Sequence, residues 1–254
     1  GDQLPHSCSI LNPKQEDCSY PFQELCGCGI GFKFIQAYVK QGGLKIDLNE
    51  FIQFAAIATA ADVVPLTDEN RWILKLGIEV LNTSPLLCFQ DMFFNAKRQK
   101  VIDSSDLVFG IAPRINAAGR LSNALKATEM LMDNDLKTLK PKVQFIEKIN
   151  KERKEIDEQI TKEALFQVSN EKEKKFTTVA YGPKWHKGVV GIVASRLMES
   201  FYRPTVVLCK DGGYISGSAR SVKGFDVYEI LNGLKDLFDR FGGHKYAAGL
   251  TMKE

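Results

Sequence analysis

The sequence predicts an α/β protein in two domains joined by a long helix, the first domain largely helical and the second a compact mixed-sheet domain. Three observations predict this. Apolar residues before about residue 135 recur mainly at helical spacing. Residues 136–172 are densely charged around one narrow apolar stripe. From Phe176 onward, short β-rich runs alternate with helical patterns, as in a compact α/β domain.

In chain order, "LNPKQEDCSYP" carries loop signals, and "LCGCGIGFKFIQAYVK" places Ile30, Phe34, Ala37 and Tyr38 along one helical face. "DLNEFIQFAAIATAAD" reads as a mostly buried helix capped by Asp47 or Asn49. It stops at "DVVPL", because Pro65 cannot continue a helix and pushes Val64 toward extended geometry. Thr67 then caps "DENRWILKLGIEVLN". "DLVFGIAPRINAAGRLSNALKATEMLMD" reads as a short apolar strand or turn, a polar loop, and a helix opened by Ser122.

The connector follows, with Ile146, Ile149, Ile156, Ile160 and Ala164 as its stripe. Lys154 with Glu158, and Glu158 with Lys162, sit one turn apart, so its charged remainder reads as a solvated helix face. Beyond it, "FTTVAY", "PTVVLCK", "YISGSARS" and "AAGLTM" read as strands, and "KGVVGIVASRLMESF" and "FDVYEILNGLKDLF" as helices.

Composition excludes several classes. A chain of 254 residues with 44% hydrophobic and 26% charged residues is globular rather than disordered. Its net charge of +3 is too small to imply a nucleic-acid partner by itself and leaves room for a local basic groove. No apolar run approaches the ~20 residues that span a bilayer. The six cysteines form no paired CxxC blocks, so reduced thiols of a cytosolic protein are expected rather than a zinc site.

Candidate chemistry concentrates in a few stretches. Asp62 ends a helix of small residues in "ATAADVVPL", where a hard divalent cation could approach its carboxylate. A local turn hydrogen bond is the plainer alternative, and one carboxylate does not make a metal site. In "APRINAAGR", Arg114 and Arg120 flank Asn116 in what reads as a loop; such arginines grip phosphate bidentately or pair with carboxylates between domains. His186 and Lys187 in "WHKGVVGI" immediately precede a helix, whose free amides favour an anion, although a capping histidine would look the same.

In "SGSARS", period two puts Ser216, Ser218 and Arg220 on one strand face, suited to phosphate oxygens or simply to water. Gly242 and Gly243 in "FGGHKYAAGL" let the chain approach a ligand without side-chain obstruction. His244, one of only three histidines, has hydroxyls and arginines for company rather than carboxylates. That favours a hydrogen-bond donor to phosphate over a metal ligand.

Read in order, "ILNPKQ", "YPFQELCGCGIGFKF", "ATAADVVPLTDENR", "APRINAAGRLSNA", "WHKGVVGIVASRL", "SGSARS" and "FGGHKYAAG" resemble the RecJ family, the bacterial single-strand-specific 5′→3′ DNA exonucleases of the DHH phosphoesterase superfamily. The resemblance implies that residues 1–135 are the rear, largely helical remainder of a DHH catalytic domain. It likewise makes 136–172 the helical connector, and 173–254 the DHH-associated substrate-binding domain. It implies Asp62 as a metal ligand, with Arg114 and Asn116 at the scissile region. Arg120, His186, Ser216, Ser218, Arg220, Gly242, Gly243 and His244 would meet DNA phosphates.

The cofactor implied is Mn2+ or Mg2+ in the complete protein, with none expected in this chain alone. The implied partners are single-stranded DNA and a single-strand-binding protein or helicase, with no membrane, in the bacterial cytoplasm. The chain begins at what looks like the sequence just after the family's Asp-His-His triplet. The expectation is therefore that these residues alone do not degrade DNA. A phosphodiesterase acting on cyclic dinucleotides or short RNA, and a non-catalytic DNA-binding scaffold, are the rival readings.

Overall fold

A computed structural model of the chain describes residues 6–7, 9–94, 101–170 and 176–254. The first five residues, Cys8 and the 171–172 end of the expected connector lie outside the described residues. The chain divides into two compact units, Gly1–Asn116 with Ala127–Phe145, and Ala117–Lys126 with Ile146–Glu254.

The first unit is helical. Cys26 caps α1 (Gly27–Gly42), its Sγ accepting from the Gly29 N–H at 3.3 Å, and Gly43 closes the helix in the left-handed region at φ 60°. The helix forms where expected but buries another face. Gly29 and Phe32 are buried, whereas Phe34 and Tyr38 are each 59% exposed and stack on one another. Apolar residues ring much of this helix, and the side of Phe32 is the one that meets Leu25, Ile52, Ala55 and Ile73.

In α2 (Asn49–Ala61), Leu48 occupies the cap position, and Asp47 Oδ1 accepts from the Asn49 N–H at 2.9 Å. α3 (Asp68–Thr83) lies against α2 so closely that a Cβ on Gly77 would overlap Ala56 Cβ and come within 2.9 Å of the Ile52 carbonyl oxygen. The buried Asn70 donates to the carbonyls of Glu24 at 2.7 Å and Pro65 at 2.9 Å, fixing both flanking segments. α4 (Leu87–Phe94) adds the fully buried Phe89, which meets Phe54 edge-on.

Two expectations fail next. The predicted short strand is a π-helical turn, Asp106–Ile111, and "APRINAAGR" is not a loop but α5 (Ala112–Leu121). Pro113 is tolerated because it follows directly on that π turn, where the regular hydrogen-bond ladder is already interrupted. Ser122 ends α5 rather than opening a helix. Asn123 is the residue that starts α6 (Leu125–Leu131), accepting from the Leu125 N–H at 2.9 Å.

α7 (Leu136–Ser169) opens behind Asp133, whose carboxylate takes Lys142 Nζ at 2.7 Å, the Asp135 N–H at 3.0 Å and the Thr138 hydroxyl at 2.9 Å. Lys142, then the Asp135 amide, pull its pKa down to about 2. A depressed carboxyl stabilises the fold fully above its unfolded pKa of about 4 and ceases to do so as pH falls toward the folded value. An NMR titration should place the Asp133 midpoint near 2, and Lys142→Met should move it back toward 4; an unmoved midpoint would remove Lys142 as the cause.

In the second unit, the stripe on α7 is buried as predicted at Ile149, Ile160 and Ala164. From Ile160 onward it packs on Val193, Ala194, Leu197 and Val207. The charged remainder is not wholly solvated. Lys162 and Glu158 pair at the surface at 2.8 Å, but Asp157 is 1% exposed.

β1 (Thr178–Gly182), β2 (Thr205–Asp211), β3 (Tyr214–Arg220), β4 (Arg240–His244) and β5 (Ala247–Lys253) form one sheet in the order β1-β2-β3-β5-β4. Only β1 and β2 are parallel, connected through α8 (Val190–Phe201). α9 (Val227–Asn232) covers the opposite face with Phe225, Phe238 and Phe241. "FGGH" is therefore part of an edge strand, which the sequence pattern did not assign. Its glycines hid it, since glycine is depleted in strands and gives no alternation to read.

Candidate nucleic-acid interface

Period two and the observed register together assign one face of β3, β5 and β4. Residues paired across strands point the same way, so three rows run across the sheet. They are Arg220–Ala247–His244, Ser218–Gly249–Gly242 and Ser216–Thr251–Arg240. Gly242 and Gly249 are exposed, and nothing lies within 4 Å of where a Cβ would stand on either. The middle row is thus a bare peptide floor with hydroxyls and cations along its sides. A phosphodiester backbone can lie on such a floor within hydrogen-bond reach of its edges.

Gly243 belongs to the other face of β4, where a Cβ would overlap Ala247 O and Ala248. Its glycine serves strand pairing rather than the open face.

Arg220 is held before any ligand arrives. Its guanidinium donates to Ser218 Oγ at 2.7 Å, Ala219 O at 2.7 Å and Ser195 Oγ at 3.2 Å. α8 crosses above it at Gly191, where a Cβ would come within 3.1 Å of Arg220 Nη2 and 3.2 Å of Ser218 Oγ. Burial, then the neighbouring Arg120, lower its pKa from the ordinary arginine value. A half-buried cation beside a second cation is a place where an anion gains more than it would in water.

Two more arginines, Arg153 and Arg196, share one carboxylate, Asp157, that also senses Arg120. Arg196 meets Asp157 Oδ2 at 2.7 Å and Arg153 meets it at 3.6 Å, while Arg153 also donates to Asn150 Oδ1 at 2.8 Å. Burial pushes the Asp157 carboxyl up against the pull of Arg196 and Arg153, and burial lowers Arg153. A single buried carboxylate thus answers for several guanidiniums. Nothing in the charged sequence of α7 singled out Asp157, because burial of one carboxylate in such a run has no local signature.

Two sequence blocks meet in this unit. Arg120 Nη1 donates to Gly188 O at 3.1 Å, and a Cβ on Gly188 would overlap the Arg120 carbonyl oxygen. His186 is exposed, and its Nδ1 accepts from the Gly188 N–H at 3.1 Å, so it caps the turn leading into α8. His244 is likewise exposed, with Nδ1 accepting from the Tyr246 N–H at 3.4 Å. With Nδ1 accepting, Nε2 is the ring nitrogen left to donate in each.

The first unit carries the remaining candidates, described by themselves. Asp62 is exposed at the end of α2, its Oδ1 accepting from the Val63 N–H at 2.8 Å, the local turn bond foreseen as the alternative. Arg114 Nη1 donates to Gly110 O at 2.5 Å on its own helix. Asn116 helps line a mostly apolar cavity of about 240 Å3 with Cys28, Phe54, Phe89 and Ile115. Among the described residues, no group of three or more His, Cys, Asp or Glu could hold a metal ion. These residues do not make a divalent centre by themselves, since one carboxylate competes poorly with water.

Comparison with known proteins gives this arrangement its place. The DHHA1 domain family model matches residues 173–254, the stretch that holds the whole five-stranded sheet. Along its whole length the chain is similar to RecJ proteins. It is 39% identical over 256 residues to the single-stranded-DNA-specific exonuclease RecJ of Bacillus subtilis, covering 100% of this chain and 32% of that protein. It is 33% identical over 276 residues to RecJ of Escherichia coli, covering 100% of this chain and 48% of that protein. The crystal structure of Thermus thermophilus RecJ in complex with Mg2+ superposes with a TM-score of 0.82 at 31% identity, over 93% of this chain and 36% of that one. The chain spans about a third to a half of the length of the curated relatives it matches. Among the described residues no helix is long and apolar enough to cross a membrane.

Proposed function

We propose that this chain is the connector-and-DHHA1 portion, with the adjoining helical part, of a 5′→3′ exonuclease that hydrolyses phosphodiester bonds of single-stranded DNA in bacterial DNA repair and recombination. On this reading residues 1–135 belong to the catalytic domain, 136–172 are the connector and 173–254 bind the substrate. The open sheet face carries the proposal: a glycine floor at Gly242 and Gly249, flanked by Ser218, Arg220 and His244.

Arg220 and Arg120 supply charge to a phosphate, Ser216 and Ser218 supply hydroxyls, and the Nε2 atoms of His186 and His244 supply donors. Arg114 and Asn116 are assigned to the scissile region of the complete enzyme. A divalent ion, Mn2+ or Mg2+, enters only there, with Asp62 as one of its ligands; when bound it would activate water and neutralise developing charge. The RecJ of Thermus thermophilus was solved both with Mg2+ and with Mn2+. A single-strand-binding protein or helicase is the proposed protein partner, in the cytoplasm.

The test uses the full-length protein beside the 254-residue chain. The full-length protein with Mn2+ should release mononucleotides from the 5′ end of a long single strand and leave duplex, cyclic dinucleotides and short RNA uncut. The 254-residue chain, shown folded by circular dichroism, should release none. Cleavage of cyclic dinucleotides in preference to long strands would overturn the substrate assignment. Nucleolysis by the short chain would overturn the assignment of metal ligands outside it.

A further inference from the structure

The open sheet face has a further row, Ser216–Thr251–Arg240, in which only Ser216 has a role so far, as a hydroxyl for an unspecified phosphate. We propose that this row is a second phosphate subsite, which takes a backbone phosphate of the same single strand two nucleotides away from the one at Arg220 and His244. The inference rests on the proposal that this face binds single-stranded DNA.

Four observations carry it. First, Arg240 lies on the same face as Gly242 and His244, and is exposed at the start of the outermost strand, β4. Second, among the described residues its guanidinium has no carboxylate partner, and neither the Ser216 nor the Thr251 hydroxyl has a hydrogen-bond partner. Two hydroxyls and a guanidinium aligned across neighbouring strands repeat the chemistry already gathered at Ser218 and Arg220. Third, on β5 and β4 the way between the two rows is open, because nothing stands within 4 Å of a Cβ position at Gly249 or Gly242.

The last observation is metric. Residues two apart on a strand lie roughly 6.7 Å apart. That is close to the spacing of successive phosphates on an extended single strand. The Arg220–His244 row and the Arg240 row are two such steps apart, about 13 Å. A strand lying along β4 therefore meets the Arg220–His244 row, then bare peptide, then Arg240, in register with alternate phosphates. Lys253 and Tyr214, paired one step further along, continue the same face with another cation and a half-exposed ring. Single-strand grooves combine cations and stacking platforms in this way.

The prediction is length-dependent binding. With the full-length protein in EDTA, so that the strand is not cut, affinities would be measured for a 5′-phosphorylated thymidylate dinucleotide and octanucleotide. Arg240→Ala should leave the dinucleotide unchanged and weaken the octanucleotide about tenfold, flattening its log–log salt slope by about one charge. Arg240→Lys should keep most of the octanucleotide affinity, and Ser216→Ala with Thr251→Val should lose several-fold on the octanucleotide alone. Wild-type octanucleotide affinity in Arg240→Ala, or equal losses on both lengths, would overturn the subsite. Arg220→Ala serves as the reference: if it also binds both lengths normally, the reading of the whole face has failed rather than this extension of it.

Discussion

Replacing Arg220 by alanine is expected to weaken binding of a 5′-phosphorylated single strand to the full-length protein by roughly thirtyfold, about 2 kcal/mol. The side chain is half-buried, so its charge is less screened than that of a surface arginine. Its removal also frees Ser218 and Ser195 from the bonds that orient them at 2.7 Å and 3.2 Å.

A purely structural role would give a different pattern. If Arg220 only braces α8 against β3, Arg220→Lys should restore little and the loss should appear mainly as a lower melting temperature. If it holds phosphate, lysine should recover part of the affinity as a point charge, and the salt dependence should flatten in the alanine variant. Binding isotherms at several salt concentrations, read beside thermal melts, separate the two. Unchanged affinity in a folded alanine variant would rule out phosphate contact at this position.

The second large effect is expected at Gly77. Alanine is the better helix former by about 1 kcal/mol, so in isolation Gly77→Ala should stabilise α3. In the folded chain the added methyl would overlap Ala56 Cβ and crowd the Ile52 carbonyl of α2. Both neighbours are rigid parts of another helix, which has to move away and give up contacts along its length. The net result should be a loss of about 2–3 kcal/mol in urea denaturation.

Gly31, in α1, supplies the opposite control. Nothing lies within 4 Å of its Cβ position, so Gly31→Ala should raise stability by about 0.5–1 kcal/mol. Equal shifts at the two sites would mean that α2 and α3 do not approach as closely as Gly77 requires.

These two positions also mark where sequence reasoning reaches its end. α1, α2, α3 and α7 were legible because a helix long enough to bury one face repeats its apolar residues every three or four positions. Which face was buried was less legible. On α1 the row of Phe34 and Tyr38 matched helical spacing as well as Phe32 did, and only the neighbouring helices chose between them. "APRINAAGR" read as a loop because arginine, asparagine and glycine favour turns locally. The helix forms there because Ala117 and Ala118, both fully buried, pack its inner side. Asp157 looked like one more solvated charge, and its burial with Arg153 and Arg196 depended on α8 arriving beside α7.

The candidate site divides the same way. Ser216, Ser218 and Arg220 share a face by the period of a single strand, which is readable from the residues with no partner strand in view. The motif blocks, in their order, likewise carried the resemblance to RecJ that the comparisons then supported across the chain. That His244 and Arg240 join that face came only from the assembly of the sheet. β4 reaches β3 only through β5, inserted between them, and the register of those two pairings sets which residues stand side by side. A one-residue slip would have turned Gly242, Gly249, His244 and Arg240 to the other side. Local periodicity says which residues of one strand agree with each other. It does not say how strands align, because that depends on the packing of Phe241, Leu250 and Phe238 beneath them.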